Sequence, residues 1–321
     1  MTDLLAVTYA WHQTIWQQLK VARQQQHLPH ALLFSGQLGC GHEHLVYALA
    51  QSLLCLQPDA AAYACGQCRS CKVFAAQAHP DFMLLDLAED KQVITVEQVR
   101  SLHHFLELSR SYSPHRVVMI IHADAMNTNA ANSLLKSLEE PADNSYILLF
   151  TAHPTQLMPT IRSRCQQLRL ASPNQAQALT WLQAQALGQT TAHKLLAITG
   201  GRPLAALVEE SGERLQQQTL FFNHLIAVLA GNLSLTEVAT QWEKYDRQEL
   251  LNWQLTWVQQ WIRQSLAGVG DTTTLELTEL TRYLKPDTAW QLYERLLELK
   301  ALATHPLNGR LLVENMLALW F

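Results

Sequence analysis

Leu32-Leu33-Phe34-Ser35-Gly36-Gln37-Leu38-Gly39-Cys40-Gly41-His42-Glu43-His44 is the stretch whose reading decides the fold. It begins as a short apolar strand, turns through Gly36, Gly39 and Gly41, and enters the apolar-periodic run Leu45-Val46-Tyr47-Ala48-Leu49-Ala50. Strand, glycine-rich turn and helix start, in that order, make a phosphate-binding loop whose backbone N–H groups point at an anion. The glycines stand where such a loop needs them. The two side chains that perform chemistry do not. His42 replaces the lysine that holds the β- and γ-phosphates, and Glu43 replaces the hydroxyl that ligates Mg²⁺. A carboxylate in the first helical turn repels a triphosphate. The stretch therefore predicts a nucleotide-switching architecture that has lost its switch.

Working outward, the spacing of Trp11, Ile15, Trp16 and Leu19 predicts helix over 4–30, closed by Pro29 before the strand Ala31–Ser35. A helix then runs to about Cys55. Strands are predicted at 81–86, 116–121, 146–150 and 166–170, and helices at 96–109 (capped by Thr95) and 129–140 (stopped by Pro141). Arg116-Val117-Val118-Met119-Ile120-Ile121 is the unbroken apolar run of a strand buried on both faces. Strands alternating with helices predict an α/β domain, a parallel sheet with helices on both faces, ending near residue 171. Helices at 175–189, 192–199 and 204–210 follow, broken by Gly200-Gly201-Arg202-Pro203, and make a small helical domain over 172–211. From 212 to 321 only helical patterns occur, with Trp253, Trp257, Trp261, Trp290 and Tyr293 among leucines, as in a helical bundle with mostly core-facing stripes.

The 321 residues hold a substantial core, with 48% hydrophobic content. A formal net charge of −4 argues against a protein that grips nucleic acid by itself through a broad basic surface. No apolar run approaches the roughly 18 residues of a membrane helix. The start of the chain lacks the basic-then-apolar order of a signal peptide. These features predict a cytoplasmic protein, in which six cysteines read as thiols or metal ligands before disulfides.

Cys65-Gly66-Gln67-Cys68-Arg69-Ser70-Cys71 spaces three thiols at three-residue intervals, and Cys55 lies ten positions upstream. Four thiolates enclose Zn²⁺ tetrahedrally, and a closed set of four is structural rather than catalytic. An iron–sulfur signature needs a fourth cysteine where Ala75 stands, so zinc is favoured over a cluster, with ordinary reduced thiols as the remaining reading. His79 is expected as a turn residue rather than a fifth ligand. His42 and His44, two apart on a helix, face different directions and are expected to face solvent. The strand at 116–121 ends in Ile121 and His122, with no acidic pair for Mg²⁺, and Asp124 is expected to cap or orient the next turn. Arg162-Ser163-Arg164-Cys165 falls on the rim of the sheet domain. A rim arginine is ordinarily only solvated, yet a guanidinium offered to a neighbour's γ-phosphate completes a nucleotide site in trans. Cys165, outside the cluster, reads as a small buried apolar residue.

The loop Gly36–Glu43, the cysteine insert 55–71, Leu134-Leu135-Lys136-Ser137-Leu138-Glu139-Glu140-Pro141 and Ser163-Arg164-Cys165 occur in that order. Together they resemble the delta-prime family of bacterial DNA polymerase III clamp-loader subunits. The resemblance covers the first 210 residues well, and rests on helical character and length alone over the last 110. It implies an AAA+ module over 1–171 with a zinc insert, a small helical lid over 172–211 and an all-α collar over 212–321. It further implies a rigid, non-hydrolysing stator in a hetero-pentameric ring with gamma/tau motor and delta subunits, acting on primed DNA through the assembled complex. Arg164, flanked by Ser163 and Cys165, would be the arginine finger, and Cys55, Cys65, Cys68 and Cys71 the structural Zn²⁺ ligands. Thr151 lies where a phosphate sensor stands, and Pro203 replaces the arginine of the ATPases, with Arg202 beside it. No bound ATP is expected.

Two other classes remain open from the residues: an active ATPase of the same family with unconventional nucleotide ligands, and a stand-alone zinc-containing nucleic-acid binder. The double loss of lysine and acidic pair speaks against the first, and the acidic balance against the second. Residual anion binding by the loop N–H groups is compatible with all of them.

Overall fold

The computed structural model describes residues 4, 6–87, 91, 93–210, 213–267, 275–303 and 308–321. Five strands, β1 (Ala31–Ser35), β2 (Phe82–Leu85), β3 (Arg116–Ile120), β4 (Ser145–Thr151) and β5 (Gln166–Arg169), form one sheet in the order β2-β3-β4-β1-β5. Every pairing is parallel. β1 lies between β4 and β5, with Ser35 opposite both Thr151 and Arg169, so the glycine loop leaves the sheet from its interior. Side chains alternate across the sheet. Leu32 and Phe34 enter one apolar cluster with Trp16, Leu45 and Leu49, while Ala31 and Leu33 enter another with Leu102, Leu134 and Ile161. A parallel sheet needs both faces covered, and these two clusters are its covers.

The helices of this part are α1 (Gln13–Gln24), α2 (His42–Leu54), α3 (Arg69–Ala75), α4 (Val96–Glu107), α5 (Thr128–Glu139), α6 (Pro159–Arg162) and α7 (Gln175–Ala184). Thr95 and Gln98 close a capping box on α4, satisfying N–H groups that the helix leaves free. The predicted helix over 4–30 is shorter in the structure. A single 3-10 turn at Ala10–His12 leads into α1, preceded by extended chain at Tyr9 (φ −103°, ψ 164°). Gln26, in the left-handed region at φ +59°, closes it ahead of Pro29, the residue expected to do so.

The remaining helices are α8 (Gln189–Ile198), α9 (Pro203–Glu210), α10 (Glu213–Leu229), α11 (Leu235–Trp242), α12 (Arg247–Ala267), α13 (Leu275–Leu280), α14 (Pro286–Leu302) and α15 (Gly309–Ala318). The helix predicted over 175–189 stops at Ala184. Ala186 adopts φ +67° and Gly188 is extended as the cap of α8, so the chain is interrupted where composition alone looks helical. Two compact units result, Met1–Gln185 with Gly201–Ala205, and Ala186–Gly200 with Ala206–Phe321. Trp253, Trp257 and Trp261 are buried in the core of the second unit beside Phe221 and Trp242. Trp290 is 55% exposed, so its stripe on α14 does not all face the core.

Candidate functional site: a filled loop, a cysteine cluster and a rim arginine

The glycine loop is filled from within the first unit. Gly36 N–H donates to Thr151 O at the end of β4 (3.2 Å). Gly39 and Gly41 take φ +78° and +70°, where a side chain is strained. The His42 ring folds over Gly36 so closely that a Cβ there would lie 2.5 Å from Cδ2. The Tyr9 ring covers Gly41 in the same way, 2.2 Å from such a Cβ. Gly39 O accepts from the N–H groups of Leu204 (3.0 Å) and Ala205 (3.3 Å), at the start of α9. Trp11 Nε1 donates to Cys40 O (2.9 Å), and Tyr9 stacks on Trp11 at 4.9 Å between centroids and meets Trp181 edge-on.

This packing corrects the sequence expectation for His42 and His44. Both are buried, because the segment Tyr9–His12 lies across the start of α2. His12 Nε2 lies 3.0 Å from His42 Nδ1, and Tyr9 Oη lies 2.8 Å from His44 Nδ1. Tyr9 N–H points at His12 Nδ1 (3.3 Å), which assigns the proton of neutral His12 to Nε2 and makes it the donor to His42. Burial, with His42 and His44 nearby, lowers His12 to a pKa of about 3, and burial lowers His42 to about 4. The group in the lysine position is therefore an uncharged ring at neutral pH. Among the described residues its Nε2 has no hydrogen-bond partner, and neither has Oε2 of Glu43, which is only 7% exposed. Burial and the Glu43 carboxylate push the Tyr9 phenol up to about 12. His42 thus brings no positive charge to the place where phosphate charge sits in a working loop of this kind.

At the C-terminal ends of β3 and β4, Asp124 accepts from the Thr151 hydroxyl and lies 3.2 Å from His153 Nδ1. The sequence expectation of a local cap gives way here to a bridge between the turn after β3 and the end of β4. His122 pairs with Asp86 at 2.8 Å, and that hydrogen bond raises its pKa above the ordinary histidine value. Thr151 is fully buried.

Cys55, Cys65, Cys68 and Cys71 converge, with their sulfurs all within 4.8 Å of one another. The Cys55–Cys65, Cys55–Cys68 and Cys65–Cys71 separations are 3.6, 3.9 and 3.9 Å. Disulfide bonding requires about 2 Å. A tetrahedron with Zn–S near 2.3 Å has an edge of about 3.8 Å, so the four thiols fit a tetrahedral ion. Backbone N–H groups of Cys65, Cys68 and Cys71 point at the preceding sulfurs at 3.3–3.4 Å, which favours thiolates. His79 lies outside the set. Its Nε2 meets the hydroxyls of Ser70 (2.9 Å) and Ser113 (3.1 Å), while Asp81 N–H donates to Nδ1 (3.0 Å). Because Nδ1 accepts, Nε2 carries the proton, so these serines are tethered rather than activated.

On the rim, α6 leads through Ser163 into Arg164 and Cys165. Ser163 Oγ returns to Thr160 O (3.0 Å), and Cys165 is buried in the sheet core, as its sequence context predicts. Arg164, 36% exposed, donates through Nε to Glu139 Oε1 (2.6 Å), pairs through Nη2 with the same oxygen, and donates through Nη1 to Thr160 O (3.1 Å). Tyr9, Trp11, His12, Trp181 and Glu139 are not marked as site residues by the sequence reading. The dense aromatic run Tyr9-Ala10-Trp11-His12 is the one available signal for the first three.

Comparison with known proteins shows the family. A sequence model of the family described as "DNA polymerase III, delta subunit" matches residues 11–174. A DNA polymerase III subunit delta' of Pseudomonas aeruginosa is 35% identical over 98% of this chain and 98% of its own length. The chain belongs to the delta-prime family of DNA polymerase III subunits. The Escherichia coli delta' protein is 34% identical over 65% of this chain and 62% of its own length. A DNA polymerase III subunit gamma/tau of Mycobacterium bovis is 34% identical over 50% of this chain and 28% of its own. No helix among the described residues is long and apolar enough to cross a membrane.

Proposed function

We propose that this delta-prime family member is the non-hydrolysing, stator-like subunit of a clamp loader. In this reading its AAA+ module (1–171), lid (172–211) and collar (212–321) join gamma/tau motor and delta subunits in a ring that loads sliding clamps onto primed DNA. The observation that carries the reading is the loop interior. A neutral His42 ring, backed by His12, occupies the space above Gly36, and the buried carboxylate of Glu43 stands beside it. A triphosphate would meet a filled cradle and an uncharged ring in the lysine position, so nucleotide turnover by this chain is not expected.

Arg164 has the complementary character. It is a rim guanidinium, partly exposed, and its role would be to stabilise phosphate charge developing in a neighbouring motor subunit, where such a group accelerates hydrolysis by roughly 10³ or more. The four-thiol cluster would hold a structural Zn²⁺ closing the insert between α2 and α3, with Cys55, Cys65, Cys68 and Cys71 as ligands. Bound there, the ion would supply cross-linking of the insert and no open coordination position for chemistry.

The test is reconstitution with motor and delta subunits. Arg164→Ala is expected to leave assembly intact, by gel filtration, and to slow single-turnover ATP hydrolysis at the adjoining motor site by about two orders of magnitude or more. The isolated wild-type chain is expected to hydrolyse no ATP above background with Mg²⁺. Undiminished hydrolysis with Arg164→Ala would remove the trans role, and measurable turnover by the isolated chain would remove the stator reading.

A further inference from the structure

Arg164 and Glu139 come from separate elements. Glu139 is the last residue of α5, and Arg164 follows α6. A carboxylate at a helix C-terminus faces the negative end of the macrodipole and is locally unfavourable, so its presence there calls for a compensating cation. Lys136 lies in the same last turn, and Arg164 is the cation that pairs with the carboxylate itself. Its guanidinium meets Glu139 along one edge, Nε and Nη2, while Nη1 reaches Thr160 O. A guanidinium has five N–H groups in a fixed plane. Three of them are engaged in this way, and one hydrogen on each of Nη1 and Nη2 has no partner among the described residues. The side chain is thus held in one orientation while partly exposed, with two hydrogens still to offer, and a guanidinium can fork such hydrogens onto two phosphate oxygens.

We infer that Glu139 is a positioning residue for the trans-acting arginine: it holds one edge of the Arg164 guanidinium so that the two remaining hydrogens meet a neighbour's phosphate already oriented. This deepens the proposed function and rests on it. The acid has no contact with the nucleotide. Its effect is to reduce the orientations a long, exposed side chain samples before the transition state, which speeds hydrolysis without altering how ATP binds. Exposed ion pairs contribute little to folding, so the pair matters for aim more than for stability.

The experiment uses the reconstituted ring with Glu139→Gln, Arg164→Ala and the double variant, reading single-turnover hydrolysis at the adjoining site, the KM for ATP and the DNA-stimulated steady rate. Glu139→Gln is expected to lower the hydrolysis step roughly three- to tenfold with KM unchanged. The double variant is expected to be no slower than Arg164→Ala alone, since the acid acts only through the arginine. Glu139→Asp should recover part of the lost rate. A Glu139→Gln ring as fast as wild type overturns the inference, and so does a raised DNA-independent rate, which would make the pair a restraint instead. A further slowing in the Arg164→Ala background also overturns it. If Arg164→Ala itself changes nothing, it is the trans role that fails, and the two failures are distinguished.

Discussion

His12 Nε2 lies 3.0 Å from Nδ1 of His42, inside a packed interface between the chain's first turn and the start of the helix after the glycine loop. Neither ring takes a proton near neutrality, with pKa values of about 3 and about 4. The unfolded chain takes up these protons near the ordinary histidine value. Between that value and the folded ones, the unfolded state holds more protons, so stability is present at neutral pH and is lost as pH falls.

The first prediction is therefore an acid-sensitive first unit. Urea unfolding followed from about pH 7 to about pH 5 should show stability falling, by at most about 1.4 kcal/mol per pH unit for each of the two imidazoles. His12→Asn should flatten that slope in part, since burial also holds His79 and His115 of the same unit below the ordinary histidine value and they add to it. An unaltered slope would show that the pair is not a source.

Gly41 supplies a second prediction. Its φ of +70° strains any side chain, and a Cβ would collide with the Tyr9 ring at 2.2 Å. Gly41→Ala should cost about 2–4 kcal/mol, combining backbone strain with overpacking. Gly66 has φ +71° and nothing within 4 Å of a Cβ, so Gly66→Ala should cost only about 1 kcal/mol. Urea midpoints for the two variants check this, and equal losses would mean that the Tyr9 lid yields freely.

A third concerns the thiols. Metal analysis of the purified protein should find one zinc per chain, and Cys68→Ser should lose most of it along with several kcal/mol of stability in the first unit. Cys165, buried in the sheet core away from the cluster, is the control: Cys165→Ser should retain the metal. Equal zinc content in both variants would mean that the four thiols do not bind it.

Much of the sheet was legible because each signal was local. The apolar run at 116–120, the Thr95 cap and the glycine spacing at 36–41 each act within a few residues, and all lie where the sequence predicts them. The cysteines converge as their close spacing suggested, with Cys65 and Cys68 ahead of α3, Cys71 within it and Cys55 at the end of α2. What stayed hidden depends on partners distant in sequence. His42 is covered by residues about thirty positions earlier, so the solvent-facing expectation, reasonable for a helix start, failed. The break at Ala186 was hidden for a different reason, since alanine carries no turn signal yet adopts the left-handed region here. Glu139 reads as one acid among several until Arg164, 25 residues on, is seen against it.

The carbonyl of Gly39 is held by the main-chain N–H groups of Leu204 and Ala205. A clasp made of peptide atoms is indifferent to side-chain identity. Ordinary point substitutions at Leu204 or Ala205 leave its donors in place, and only proline would delete one. This closure of the loop is thus written into the backbone, beyond the easy reach of mutational drift.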